Sequence, residues 1–297
     1  MFVKLPIFIR LPIIFLSIAI NTVLLVSLLL LASLIKWLVP IAAFRKHADR
    51  LIIYLAEAWI ANNTWMMSHY ISLDIHQSID GDLNPDGHYL VLANHQSWTD
   101  IPILQGVFNH KVPFMRFFLK SQLIWVPLLG MAWWALDFPF MNRYSKSQIQ
   151  KNPDLAGSDL AATRKACEKF SGKPVSIMIF PEGTRFTVAK HQHFKSPYKN
   201  LLKPKSGGMA YALDAMGAGL QKIIDVSMYY PNGKPSVYDL FADKIKTVYI
   251  NIRVFDIPIE LREGNYQDDR AYRVWFQSWL NELWQDKQNQ LEQLAKT

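Results

Sequence analysis

The chain opens on an apolar run, LPIIFLSIAINTVLLVSLLLLASLI at residues 11–35, that carries no charge. Roughly 20 residues at 1.5 Å rise cross a bilayer core, so this run predicts a membrane helix long enough to span with some tilt. Asn21 and Thr22 fall midway and leave a second geometry open, a bent pair of shorter helices dipping into one leaflet. Residues 51–71, rich in Trp and Met, have helical periodicity and predict a connector to a globular part. Beyond them short apolar strands at 89–92, 112–115, 175–180 and 223–229 alternate with helix-like stretches, an α/β pattern. In VYINIRVF, residues 248–255, Val248, Ile250, Ile252 and Val254 alternate with Tyr249, Asn251, Arg253 and Phe255, which predicts a strand with one buried face.

Two more apolar segments remain. Residues 123–136, LIWVPLLGMAWWAL, are too short to span, and Pro127 and Gly130 argue against one regular helix, so a re-entrant or lipid-tail-binding segment fits them. Near the C-terminus Tyr272, Trp275, Phe276, Trp279 and Leu283 form one helical stripe, read either as core packing or as a membrane-surface helix. The organisation expected is a membrane anchor with a basic flank over residues 1–50 and an α/β domain over 51–297 that ends in this amphipathic helix.

Composition sharpens the picture. The 297 residues carry a formal net charge of +8, yet 51% are hydrophobic and only 19% charged. A basic surface suits nucleic acid, anionic lipid or a phosphorylated substrate alike; the apolar excess points to a membrane. Lys4 and Arg10 before the run raise a signal peptide as the competing reading, but the run exceeds the usual length and no A-x-A-like site follows. Lys36, Arg45, Lys46 and Arg50 follow it, so positive charge leans to the C-terminal side, and the soluble part is expected in the cytoplasm. Compactness and the lack of a retrieval signal suggest a bacterial inner membrane. The single cysteine, Cys167, excludes an intramolecular disulfide. It shares helical spacing with Leu160, Thr163 and Phe170, which predicts a packed, inert thiol.

The chemistry begins in VLANHQSWTD, residues 91–100. Five residues along a continuous helix turn a side chain by about 140° out of line, so His95 and Asp100 meet only if the backbone turns between them. A strand ending at Asn94, and Thr99 or Asp100 followed by Pro102 as the cap of a new helix, supply that turn. An aspartate on one ring nitrogen fixes the tautomer and leaves the other nitrogen to take a hydroxyl proton. Ser97 lies inside the same tight turn and no G-x-S-x-G elbow exists in the chain, so the attacking hydroxyl is expected from a substrate.

A second strand-to-turn block, IMIFPEGTRF at 177–186, adds Gly183 for close backbone approach and Arg185 as a bidentate fork for phosphate. From Gly183 to Leu213 there is no acidic residue, while Arg185, Lys190, Lys195, Lys199, Lys203 and Lys205 accumulate, which favours a phosphate-bearing ligand. HQH at 191–193 has no carboxylate near it, so no metal is expected there.

Together, NHQSWTD and FPEGTR resemble the glycerolipid acyltransferases, the family that includes 1-acylglycerol-3-phosphate acyltransferase. The N-H-x-x-x-x-D block followed some 80 residues later by F-P-E-G-T-R is highly specific, and DFPFMNR at 137–143 and IIDVSMYYP at 223–231 line up with two weaker family blocks. The resemblance covers roughly residues 70–235. It implies a mixed sheet flanked by helices, with an N-terminal membrane helix. It implies His95 as general base on the hydroxyl of a lysophospholipid, Asp100 orienting it, and attack on the thioester of acyl-CoA or acyl carrier protein as co-substrate, without metal or bound cofactor. Lysophosphatidate would be acylated to phosphatidate, with Glu182, Gly183, Thr184 and Arg185 holding the acceptor, Arg185 and Arg143 on its phosphate, and residues 123–130 receiving an acyl tail. Asp137 and Asp225 depart from the common pattern and resemble the branch with lysophosphatidylinositol- and lysocardiolipin-type enzymes, a branch with other head groups.

Overall fold

The computed structural model describes residues 3, 5–141, 152, 167 and 173–296. Two long helices come first, α1 (Ile7–Leu38) and α2 (Ala42–Tyr70). The apolar run is thus one continuous helix that accommodates Pro12 in its second turn, at the cost of the one intrahelical bond the ring cannot donate to the Phe8 carbonyl. The polar pair midway does not bend it. Asn21 Nδ2 donates to the Trp59 carbonyl at 3.2 Å and to Asn63 Oδ1 at 2.9 Å, Asn62 donates back to Asn21 Oδ1, and Trp59 Nε1 donates to Thr22 Oγ1. Asn21 and Thr22 therefore join α1 to α2 as a hairpin, satisfying polar groups that would otherwise be buried unpaired.

Eight strands follow: β1 (Asp74–Asp80), β2 (His88–Ala93), β3 (Met115–Phe117), β4 (Leu119–Lys120), β5 (Phe140–Met141), β6 (Val175–Ile179), β7 (Lys222–Tyr229) and β8 (Thr247–Asp256), among the described residues. Six of them form one sheet in the order β1-β8-β7-β2-β6-β3. β7, β2, β6 and β3 run parallel, β8 is antiparallel to β7, and β1 is parallel to β8. β4 and β5 make a separate two-stranded ladder.

The alternation along β2 builds both cores. Tyr89, Val91 and Ala93 point to the face covered by α2 and by α3 (Asp100–Phe108), whereas Leu90 and Leu92 point to the opposite face. That second face is covered by α6 (Ser206–Met216) and α9 (Arg270–Leu294). Short helices α4 (Leu129–Ala135), α5 (Val188–His193), α7 (Val237–Phe241) and α8 (Ile259–Glu263) occupy the connections. The expected mixed sheet flanked by helices is present.

Several expectations are corrected. Residues 112–114 are buried but not strand; Pro113 offers no N–H to a ladder, and pairing starts at Met115. β1, DIHQSID, escaped the pattern because it is an edge strand with almost no buried side chain. Helical structure in the connector begins at Ala42, well before residue 51. The C-terminal stripe is rotated: Phe276, Leu280, Leu283, Trp284 and Leu291 are buried while Trp275 faces outward, so the helix packs on the sheet. The 123–136 segment breaks at Pro127 as expected, with Leu128 at φ +61° between a 3₁₀ turn and α4. Val248, Ile250 and Ile252 of β8 are buried.

Asp225, the departure in the late block, sits fully buried on β7 between Arg253 of β8 at 2.8 Å and Lys287 of α9 at 2.5 Å. Lys287, itself fully buried, also donates to the Val226 carbonyl at 2.6 Å. This triad fixes how α9 lies across the sheet. Cys167 is buried in the same core, and burial pushes its thiol up to about 12; Leu160, Thr163 and Phe170 lie outside the described residues.

Candidate active site

β2, β6 and β7 are parallel neighbours, so the loops that leave them emerge at one edge of the sheet, where ligands of open α/β sheets bind. The loop after β2 carries His95, the loop after β6 carries Glu182 to Arg185, and β7 ends one residue before Tyr230.

The turn between His95 and Asp100 closes on the carboxylate. Asp100 Oδ2 accepts from His95 Nδ1 at 2.9 Å, Gln96 N at 2.7 Å and Ser97 N at 2.9 Å, and Oδ1 accepts from Tyr230 Oη at 2.8 Å. Asp100 thus holds the preceding loop rather than capping the helix forward, and the cap position, Thr99, makes no side-chain cap. Thr99 Oγ1 instead meets Tyr230 Oη at 3.1 Å. Ser97 Oγ is engaged by the Pro235 carbonyl, which leaves it no nucleophilic role.

Asn94 extends the strand by proxy: its amide exchanges two bonds with the Met228 backbone, at 2.9 and 2.8 Å, and Gln96 Nε2 joins the same carbonyl. The His95 ring stacks on Phe180, the last residue before the second turn, at 3.9 Å. With Nδ1 taken by Asp100, Nε2 has no hydrogen-bond partner among the described residues and the side chain is 12% exposed.

Glu182, expected to hold the acceptor, is buried, and each carboxylate oxygen accepts a backbone N–H at 2.9 Å, Oε1 from His95 and Oε2 from Leu202. Loss of hydration pushes its carboxyl up to about 8, against those two bonds. Gly183 takes φ +68° in the turn. Thr184 Oγ1 accepts from Lys190 Nζ at 2.7 Å, and the Arg185 guanidinium lies 4.6 Å over the exposed Trp98 ring. Arg143 lies outside the described residues. Of the HQH pair, His191 is bonded to the Tyr198 carbonyl and His193 packs edge-on to Phe194.

Sequence reasoning missed Tyr230, Trp98 and Lys234. Lys234 stands over the Phe186 ring, and lost hydration pushes its ammonium down to about 8, with Glu182 opposing. Tyr230 closes the apolar block 223–231 and carried no local signal, because its partner is 130 positions away.

An oriented His–Asp pair and an arginine stand together at the carboxyl edge of a helix-covered mixed sheet, an arrangement chemically able to abstract a proton beside an anion. The Acyltransferase family profile matches residues 74–230, more than half of the chain. The chain is 30% identical over 220 residues to the 1-acyl-sn-glycerol-3-phosphate acyltransferase of Pseudomonas aeruginosa, covering 72% of this chain and 74% of that protein. It is 24% identical over 253 residues to the 2-acyl-1-lysophosphatidylinositol acyltransferase of Saccharomyces cerevisiae, covering 70% of this chain and 62% of the yeast protein. The chain spans about three-fifths of the length of the yeast relatives it matches. The crystal structure of the 1-acyl-sn-glycerophosphate acyltransferase of Thermotoga maritima shares the fold, with a TM-score of 0.56 at 19% identity over 98% of this chain and 99% of that one. This protein belongs to the Acyltransferase family.

Proposed function

We propose that the chain transfers a fatty acyl group from the thioester of acyl-CoA or acyl carrier protein to the free hydroxyl of lysophosphatidate, giving phosphatidate. The observation that carries the reading is the 2.9 Å bond between His95 Nδ1 and a fully buried Asp100, which leaves Nε2 as the base. His95 Nε2 removes the hydroxyl proton as the oxygen attacks the thioester carbonyl. The tetrahedral intermediate collapses with cleavage of the C–S bond, and the imidazolium returns the proton to the leaving thiolate. Arg185 takes the acceptor phosphate, with Arg143 as its partner, and Gly183 and Thr184 line the turn. Glu182 acts by tying the His95 loop to Leu202. The apolar cleft between α1, α2 and α4, lined by Val26, Trp59, Leu129, Ala132 and Trp133, suits an acyl tail.

Membrane association rests on α1, whose outer face exposes Phe15, Leu16, Leu24, Leu28 and Leu31. At 32 residues it is about 48 Å long. Arg10 near one end pairs with Asp243 at 3.7 Å; at the other end Lys36 pairs with Asp49, which also lies 3.8 Å from Lys173 before β6. Asp243 and Lys173 both belong to the α/β domain. A helix tied to one domain at both ends favours lying along one leaflet over crossing it, with the domain on the cytoplasmic side of a bacterial inner membrane.

The test is acyl transfer by detergent-purified protein from labelled oleoyl-CoA to lysophosphatidate, run beside His95→Ala and with other lysophospholipids as competitors. Phosphatidate made by wild type and lost in the variant is the expected result. Free fatty acid in place of diacyl lipid, or equal product from the variant, would overturn the reading.

A further inference from the structure

The cations beside the site outnumber what one acceptor phosphate requires. Arg185, Lys190, Lys195, Lys199, Lys203 and Lys205 follow one another with no acid between Gly183 and Leu213. Among the described residues none of the six has a carboxylate within ion-pair distance. A solvated basic loop would be loosely held, but this arm is fastened to α9 and to itself. Tyr198 Oη donates to the Asn281 carbonyl, Asn200 N to Gln288 Oε1, Trp284 Nε1 to the Leu202 carbonyl and Ser196 Oγ to the Leu201 carbonyl. Both its ends meet the site, Lys190 at Thr184 and Leu202 at Glu182.

The same arm carries an exposed aromatic ring. Phe194 is 43% exposed, and Lys205 Nζ lies 5.7 Å from its centroid. The same lysine reaches back to the second turn, where a Cβ on Gly183 would stand 3.6 Å from Nζ. Lysophosphatidate brings a single phosphate, already answered by Arg185. A ring with one ammonium group beside it, on an arm that carries further lysines without a carboxylate partner among the described residues, suits a ligand that combines an aromatic base with several phosphates.

We propose that residues 187–205 bind the 3′-phosphorylated adenosine diphosphate end of an acyl-CoA donor, with the adenine on Phe194 and the phosphates among Lys195, Lys199, Lys203 and Lys205. The proposal rests on the acyl-transfer reading and settles its donor: a carrier protein offers acidic surface but no purine to cover Phe194.

Calorimetric binding of adenosine 3′,5′-bisphosphate to the detergent-purified full chain tests it. Wild type is expected to bind saturably and more tightly than it binds adenosine. Phe194→Ala is expected to weaken binding about tenfold, the size of one base–aromatic stack, and Lys205→Gln about tenfold, the size of one charge-assisted contact. Both side chains are on the surface, and an unchanged unfolding temperature verifies that the variants fold. No binding by wild type, or equal binding by both variants, would overturn the proposal, as would a donor preference for oleoyl-acyl carrier protein over oleoyl-CoA. Because nucleotide binding needs no turnover, normal binding by a chain that transfers no acyl group supports the arm while removing the reaction.

Discussion

Tyr230 and Asp100 stand 130 positions apart and share a 2.8 Å hydrogen bond in which a buried phenol donates to Oδ1. Burial pushes the Tyr230 hydroxyl well above its ordinary range, so it stays a donor at any working pH. It supplies the fourth donor to a carboxylate whose other oxygen holds His95 and two backbone amides. Tyr230→Phe keeps the ring and removes that bond together with the 3.1 Å contact to Thr99 Oγ1. We expect kcat to fall by about three- to tenfold, the worth of one net hydrogen bond, with the acceptor KM unchanged; a KM effect alone in steady-state kinetics would contradict a role behind the base.

His95 and Arg185 should separate in the same kinetics. His95→Ala is expected to lower kcat by roughly 10²- to 10⁴-fold. Arg185→Ala is expected to raise the acceptor KM, a charge-assisted contact being worth about 1.5–3 kcal/mol.

The two turns that hold His95 and Arg185 were legible because each is local: a strand end, a turn and a helix start in six residues, and a Pro-Glu-Gly turn ending in arginine. Tyr230 was not, since its role depends on β7 lying beside β2, which no short window encodes. β1 was invisible for a related reason: an edge strand with only Ile75 partly covered has no alternation to read. Lys287 lies outside the apolar stripe and is nevertheless fully buried, because Asp225 and the Val226 carbonyl meet it there. Apolar periodicity placed the helices well and their rotation poorly, as the stripe on α9 shows.

Glu182 makes stability depend on pH. Its carboxyl is held at about 8 in the folded chain against 4.5 as its ordinary value, so the folded state keeps a proton that the unfolded chain has lost. That contribution is complete below about pH 4.5 and disappears as pH rises through 8. Thermal unfolding between pH 5 and 8 should show wild type losing stability, while Glu182→Gln starts lower, its amide facing a backbone N–H, and stays flatter. A parallel decline in both would remove Glu182 as the source.

Asp225→Ala leaves Lys287 charged and unpaired in a dry core, which should cost about 3–5 kcal/mol. Lys287→Met should cost less, because Arg253 still meets Asp225 at 2.8 Å. Denaturant unfolding of the two variants gives the order; equal losses would contradict it.

α1 is held near both ends, by Arg10 on Asp243 of the α/β domain and by Lys36 on Asp49 of α2, and on the proposed reading of a chain resting on lipid this has a kinetic meaning. Such a mount would fix the height of His95 relative to the plane of head groups, and the acceptor would then arrive by lateral diffusion within that plane. Turnover would then follow the mole fraction of lysophospholipid in the surface, and diluting it with inert lipid or detergent at constant bulk concentration would slow the reaction.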